Sequence, residues 1–222
     1  MRPITEVAEE LGLDRESVIP YGHFKAKIEL SAIKKGGRRG KMVVVTGITP
    51  TPAGEGKTTT TVGLTQSLGR LGKKVVATLR EPSLGPIFGI KGGGTGGGKS
   101  LIQPEDEVNI HFTGDAHAVA SAHNLLAALT DNAAQRGQVD GFRPEGMTWR
   151  RVMDVEDRAI RSIIAGVGGS NNAPLRETGF DIVTASEIMA ILALSRDLEN
   201  LRERISRIVV GYTGDNKPVT AA

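Results

Sequence analysis

Residues 51–59 (TPAGEGKTT) combine glycine, lysine and threonine in an order suited to binding phosphate. Glycines let backbone N–H groups turn toward an anion, and the unpaired N–H groups at the start of a following helix add to them. Lys57 is long enough to reach a β- or γ-phosphate, and the hydroxyl of Thr58 can bind Mg²⁺. The stretch predicts a nucleotide-binding loop whose members are Thr51, Pro52, Ala53, Gly54, Glu55, Gly56, Lys57, Thr58 and Thr59.

The segments on either side of this loop have the patterns of strand, helix and strand. Val43-Val44-Val45 is a β-branched run that predicts a buried strand, and residues 74–79 (KVVATL) predict a second one. Between them, residues 58–71 place Val62 and Leu68 on one face of a helix that ends at Gly72. This order predicts a right-handed βαβ unit. We therefore expect an α/β domain over residues 41–222, P-loop NTPase-like, with a mostly parallel sheet flanked by helices. Residues 1–40 would form a helical segment that precedes it.

A second stretch, residues 93–100 (GGTGGGKS), matches the phosphate-loop pattern G-x-x-x-x-G-K-[ST] at every position. The first loop does not, because Thr51 stands where the pattern has its first glycine. No buried strand precedes residue 93, however, and Pro104 disfavours a helix soon after residue 100. The context favours residues 51–58 as the nucleotide loop, and it predicts that 92–98 is a mobile loop that approaches a ligand.

Charged side chains follow the predicted strands, at the sheet edge where such folds bind ligands. Arg80 and Glu81 come after residue 79, and a guanidinium there can hold a carboxylate or a phosphoryl group with two hydrogen bonds. The alternative for Arg80 is a surface ion pair. Asp115 follows a predicted third strand over residues 108–112, where a carboxylate could hold a cation. A catalytic and a structural role both stay open for His117.

The rest of the chain carries weaker signals. Apolar spacing predicts helices over 116–130, with His123 on its packed face, and over 148–165. Thr184 and Glu187 form a capping-box pattern ahead of an apolar helix. Residues 197–207 predict a charged surface helix, and 207–212 predict a strand.

Composition narrows the function classes. The chain has 222 residues, with 28 Lys and Arg against 25 Asp and Glu. This near balance gives no basic stripe, which argues against nucleic acid as a partner. The absence of cysteine excludes disulfides and thiolate metal sites. No run of 18 apolar residues and no signal-peptide pattern occurs, so we expect a cytoplasmic protein without membrane segments.

Several long motifs, in order, together resemble one family. The chain is similar to formate–tetrahydrofolate ligases (10-formyltetrahydrofolate synthetases), although it corresponds only to the opening part of the family's chain, less than half. The motifs that carry the resemblance are 51–59 (TPAGEGKTT), 80–86 (REPSLGP), 88–93 (FGIKGG), 111–115 (HFTGD), 124–128 (NLLAA), 148–151 (TWRR) and 179–181 (GFD).

The resemblance implies a reaction of one-carbon metabolism. ATP phosphorylates formate to formyl phosphate, and tetrahydrofolate takes the formyl group, which gives 10-formyltetrahydrofolate, ADP and phosphate. Lys57 would stabilise the transferred phosphoryl group, and Arg80 would hold formate and then formyl phosphate. Glu81 and Asp115 would lie at a monovalent-cation site for K⁺ or NH₄⁺, and Mg²⁺, with Thr58 as a ligand, would accompany ATP. The family is usually a homotetramer, which implies a homo-oligomer here.

Two alternatives stay open. The chain could be a truncated nucleotide-binding module without complete activity. It could also be a different P-loop ATPase switch, a class that favours Asp at the end of the second strand, where this chain has Arg80.

Overall fold

The structure, a computed structural model, describes residues 1–32, 40–49, 51, 54–84, 94–155, 157–169 and 171–222. The chain divides into two compact units. Unit 1 comprises residues 1–80 and 90–110, and unit 2 comprises residues 81–89 and 111–222. The predicted boundary near residue 41, between a helical segment and a nucleotide-binding domain, stays a prediction.

Unit 1 contains short elements around one longer helix. Its described elements are α1 (Ile4–Glu10), β1 (Val18–Pro20), β2 (Ala26–Ile28), α2 (Lys57–Arg70), β3 (Gly96–Gly97), β4 (Ser100–Leu101) and α3 (Glu105–Asn109). The strands form two antiparallel hairpins, β1–β2 and β3–β4. The second hairpin lies against α2, where the Gln66 side-chain amide donates to the Leu101 carbonyl over 3.1 Å. Val62 of α2 is buried at this contact.

Unit 2 is built on the 21-residue helix α4 (Asp115–Gln135). Its other described elements are β5 (Phe142–Met147), β6 (Arg151–Met153), β7 (Ile163–Ala165), β8 (Arg176–Thr178), β9 (Phe180–Ile182), α5 (Glu187–Leu194), α6 (Leu198–Ser206), β10 (Val209–Thr213) and β11 (Pro218–Thr220). Helix α4 packs on β5, β6 and α5. Val119, Phe142, Val183 and Ile208 are among the residues of the core that these elements enclose.

The sheets of unit 2 are small. Strand β10 lies between β11 and β5, antiparallel to both, and β7 pairs with β8 in an antiparallel hairpin. Strands β6 and β9 form the only parallel pair among the described strands, with Val152 opposite Asp181. The protein is therefore mixed α/β, as expected, but most of its described strand pairing is antiparallel and not the mostly parallel arrangement predicted.

The sequence patterns located most helices correctly. The structure confirms the predicted helices at 58–71 and 116–130, as well as the charged helix near 197–207. It also confirms the strand near 207–212, as β10. The predicted cap at Thr184 is wrong by two residues, because the Ser186 hydroxyl accepts from the Ile188 N–H and begins α5.

The predicted βαβ unit is not formed. Residues 41–47 and 73–80 have no strand pairing with any described residue, although they flank α2 as expected. Val43, Val44 and Val76 are all more than half exposed. A run of β-branched residues favours a strand only where a neighbouring strand and a covering layer are available, and the described elements supply neither here.

Two further predictions are wrong. Residues 108–112 do not form a strand, because Pro104 and three acidic residues in the following turn begin the short helix α3. Residues 148–165 do not form one helix but contain β6 and β7. The partners of these strands, β9 and β8, come from later in the chain, so a local apolar pattern could not reveal the pairing.

Candidate nucleotide and cation site

The loop at 54–57 leads directly into α2. Gly54 has φ +83° and Gly56 has φ +70°, a left-handed conformation that favours glycine. Gly56 is the N-cap of α2, and since it has no side chain, it leaves the first-turn N–H groups without a side-chain cap. Pro52 and Ala53, which were predicted to bind nucleotide, lie outside the described residues. The described part of the loop has the turn and the helix N-terminus that an anion site requires.

The side chain of Glu55 binds two groups of this loop that could otherwise bind a phosphate. Its carboxylate accepts from the Thr51 N–H and contacts the Lys57 ammonium. The Lys57 ammonium, followed by the Thr51 N–H, holds the pKa of Glu55 below its usual range. Lys57 and Thr51 therefore already bind an anionic group, a carboxylate, at the position where a phosphate is expected.

The other residues of the predicted nucleotide site lie on the first turn of α2. Thr58 is half-buried and Thr59 is exposed. The methyl group of Thr59 lies 3.2 Å from the position that a Cβ at Gly97 would occupy. The described part of the competing glycine-rich stretch, residues 94–100, thus lies in the β3–β4 hairpin beside α2, and Ser100 begins a strand and not a helix. Arg80 is an exposed residue at the end of the first segment of unit 1.

Glu81 and Asp115 lie together in unit 2, at the N-terminus of α4. The Ala116 N–H lies 3.2 Å from Glu81 Oε2 and 2.8 Å from Asp115 Oδ1. Burial, followed by the hydrogen bond with Asp115, raises the pKa of Glu81 to about 7. Gly114, at φ +126°, makes this approach possible, because a Cβ there would collide with the Glu81 carboxylate. The structure thus brings together the two carboxylates that were predicted to hold a cation.

Two histidines lie beside this carboxylate pair. His111 Nδ1 is 2.8 Å from His117 Nε2, and His111 Nε2 is 2.5 Å from the Pro82 carbonyl oxygen. His111 Nδ1 is also 3.7 Å from Glu81 Oε1. The spacing of five residues between the histidines was a weak signal for this pair. Its neighbour Asp154 could not be found from sequence, because it follows β6, well beyond α4 along the chain.

His123 is a structural residue, as its place on the packed face of α4 predicted. It is 6 % exposed, and its ring nitrogens lie 2.8 Å from the Ser186 hydroxyl and 3.0 Å from the Arg150 carbonyl. Burial lowers the pKa of His123. The residue joins α4 to the start of α5 and to the segment before β6.

The comparisons with known proteins agree with these motifs. A model of the formate–tetrahydrofolate ligase family matches residues 1–222. Proteins named formate–tetrahydrofolate ligase are 55 % identical in Granulibacter bethesdensis over 225 residues and 55 % identical in Bartonella tribocorum over 221 residues. One in Desulforamulus reducens is 53 % identical over 223 residues. The alignments cover 99–100 % of this chain.

The chain belongs to the formate–tetrahydrofolate ligase family, which confirms the resemblance seen in its motifs. It spans about two-fifths of the length of these relatives, 39–40 % in each case. None of the helices in the described part of the chain combines the length and apolar character needed to cross a bilayer.

Proposed function

We propose that this chain is the ATP- and formate-binding part of a formate–tetrahydrofolate ligase that works in the cytoplasm. The observation that carries the proposal is the family match over residues 1–222. A formate oxygen would attack the γ-phosphorus of ATP, and ADP would leave. The N10 amine of tetrahydrofolate would then attack the carbonyl carbon of formyl phosphate, lose a proton and release phosphate.

The loop before α2 would bind the ATP phosphates. Its helix-terminal N–H groups and Lys57 would stabilise the charge on the transferred phosphoryl group, a step in which enzymes act mainly by positioning and electrostatics. ATP would have to displace the Glu55 carboxylate from Lys57 and Thr51, because both groups are occupied in this structure. The Thr58 hydroxyl would bind the Mg²⁺ that accompanies ATP.

Arg80 would bind formate. A guanidinium presents two parallel N–H groups that match a carboxylate, and the same pair would hold the phosphoryl oxygens of formyl phosphate. Arg80 is the last residue of the segment 73–80, which follows α2 after a two-residue turn, and it is exposed to solvent. Its side chain is therefore accessible to a small anion.

Glu81 and Asp115 would bind the monovalent cation, K⁺ or NH₄⁺. The residues fit such an ion, because two adjoining carboxylates share the N-terminus of α4 and the Glu81 pKa is raised by burial and by its neighbour. A cation between them would replace the proton that burial and the hydrogen bond with Asp115 retain on Glu81. When bound, the ion would supply a fixed positive charge at this pair of carboxylates.

The remaining assignments rest on the family resemblance. They are tetrahydrofolate as the second substrate, assembly as a homotetramer, and a P-loop NTPase-like parallel sheet. That sheet would require residues 41–47 and 73–80 to pair as strands, and the exposed side chains of Val43 and Val76 are the apolar surface that such pairing would bury.

Calorimetric titration of Mg-ATP into the chain tests the nucleotide site. Lys57→Ala should abolish the binding heat, whereas Lys73→Ala should not, because it removes a lysine just after α2 and outside the loop. Equal binding by the Lys57→Ala chain would contradict the assignment of residues 51–59.

Formation of ADP with and without formate tests the chemistry. ADP should appear only with formate, and Arg80→Ala should abolish this ADP formation while ATP binding remains. Hydrolysis without formate would favour an ATPase switch. Binding without turnover would favour a nucleotide-binding module.

A further inference from the structure

The hydrogen bonds of His111 determine which of its ring nitrogens can bind a metal. Its Nε2 lies 2.5 Å from the Pro82 carbonyl oxygen. A carbonyl oxygen only accepts, so Nε2 carries the hydrogen and Nδ1 keeps its lone pair. Metal-binding histidines usually donate their other N–H to a carbonyl or a carboxylate in this way, which sets the tautomer and orients the ring.

His117 and Asp154 place two more ligand atoms near this lone pair. Among the described residues, His111, His117 and Asp154 each offer one ligand atom, and the three atoms lie within 4.8 Å of one another. His111 is 5 % exposed, and the other two residues are half-buried. Both carboxylate oxygens of Asp154 are buried, so the ligand atoms are largely shielded from solvent.

Rigid elements hold the cluster in place. His117 lies on the first turn of α4, and Asp154 directly follows β6. The Asn124 side chain of α4 joins these elements, because its amide donates to the Val152 carbonyl over 3.0 Å and its oxygen accepts from the Val152 N–H over 2.9 Å. Ligands on packed helices and strands keep their geometry better than ligands on loops.

We propose that His111, His117 and Asp154 form a binding site for a divalent transition-metal ion of the Zn²⁺ class. Two imidazoles and one carboxylate suit Zn²⁺, Co²⁺ and Fe²⁺, whereas K⁺ and Mg²⁺ prefer sites made of oxygen atoms. Three protein ligands leave a fourth position for water. This site adjoins the carboxylate pair of Glu81 and Asp115, since His111 Nδ1 is 3.7 Å from Glu81 Oε1, but its donor atoms include two imidazole nitrogens that the pair lacks.

Metal binding requires only a small change in the distance between the two histidine nitrogens. A tetrahedral ion with bonds of about 2.0–2.1 Å places its ligand atoms about 3.3 Å apart. The two histidine nitrogens are 2.8 Å apart, so the pair would open slightly on binding. His117 Nε2 also lies 3.1 Å from the His111 carbonyl oxygen, so it carries the hydrogen while the pair is hydrogen-bonded. Metal binding would move that hydrogen to Nδ1 of His117.

Cobalt titration of the chelator-treated chain tests the proposal. We expect one equivalent of Co²⁺ to give the strong visible absorption of a four-coordinate ion, and Zn²⁺ to displace it. His117→Asn and Asp154→Asn should each weaken binding at least 100-fold, since loss of even an outer hydrogen-bond partner costs about 10–100-fold. His23→Asn, which changes a histidine of unit 1, should retain one full equivalent.

Three results would overturn the proposal. They are no stoichiometric Co²⁺ binding by the unaltered chain, equal binding by folded His117→Asn and Asp154→Asn chains, or displacement of Co²⁺ by excess K⁺. The last result would place the ion in the proposed monovalent-cation site. Circular dichroism of each variant shows whether it is folded, and two independent ligand variants keep the test decisive if one fails to fold.

Discussion

Asp131 of α4 is the residue whose loss should most clearly destabilise unit 2. Its side chain is 8 % exposed, and its two oxygens lie 2.6 Å from Arg151 Nη2 and 2.5 Å from Arg176 Nη2. The Arg176 side chain is only 10 % exposed. One carboxylate therefore neutralises two guanidinium groups and joins α4 to β6 and β8.

Asp131→Ala should lower the free energy of unfolding by about 4 kcal/mol. Removal of one partner from a buried ion pair costs about 3–5 kcal/mol, because the remaining charge stays buried without compensation. The hydrogen bond from Arg151, which is worth about 1.5–3 kcal/mol because both of its partners are charged, is lost with it. With a slope of about 2 kcal/mol per molar urea, the midpoint should fall by about 2 M.

Urea denaturation followed by far-ultraviolet circular dichroism measures this change. Asp215→Ala is the matched control, because it removes an exposed partner of Lys217 and should move the midpoint little. Asp131→Ala combined with Arg176→Met should be more stable than Asp131→Ala alone, since it removes the uncompensated buried charge. A loss below about 1 kcal/mol in the single variant, or no recovery in the double variant, would refute the reasoning.

Three further changes test other features. Glu81 binds its proton more tightly in the folded chain, so the free energy of unfolding should fall as the pH rises from 4.5 to 7. Urea denaturation at several pH values across this range measures the fall, and Glu81→Gln should remove it. If the pH dependence of the Glu81→Gln chain is unchanged, Glu81 is not its cause. Ser186→Ala should lower the free energy of unfolding by about 1–2 kcal/mol in the same assay, because it removes the cap of α5 and the partner of His123. Thr184→Ala should lower it less, and the reverse order would place the cap of α5 at Thr184. Gly211→Ala should lower the midpoint of thermal unfolding, because a Cβ at Gly211 would collide with the neighbouring strand. Gly214→Ala is the control, because a Cβ there has open space. Equal midpoints for the two variants would contradict the packing of β10.

Sequence patterns predicted elements that are held by local contacts. Helices α2 and α4 repeat apolar residues at helical spacing, and Gly72 and Gly114 stand just outside them. The patterns failed where pairing partners are distant. The segment at 148–165 resembled a helix, but β6 and β7 pair with strands that follow it in the chain. The run at 43–45 has strand propensity, but no described strand pairs with it.

In the candidate site, too, the sequence could reveal residues that are close in the chain but not those brought together by folding. The loop at 51–59 could be found from sequence, because its glycines, lysine and threonines are contiguous. Glu81 and Asp115 were paired through the family motifs, since 34 positions separate them and no periodicity connects them. Asp154 could not be predicted, because it approaches the histidines only through the packing of β6 on α4.

The single tryptophan has a practical consequence for work on this protein. Trp149 is 8 % exposed, donates its indole N–H to the His123 carbonyl over 3.2 Å, and stacks on the His123 ring with centroids 4.1 Å apart. Its fluorescence therefore reports solvent entry into the interior of unit 2, and unit 1 has no indole of its own. Comparison of emission with an amide signal from both units would show whether the two units unfold together.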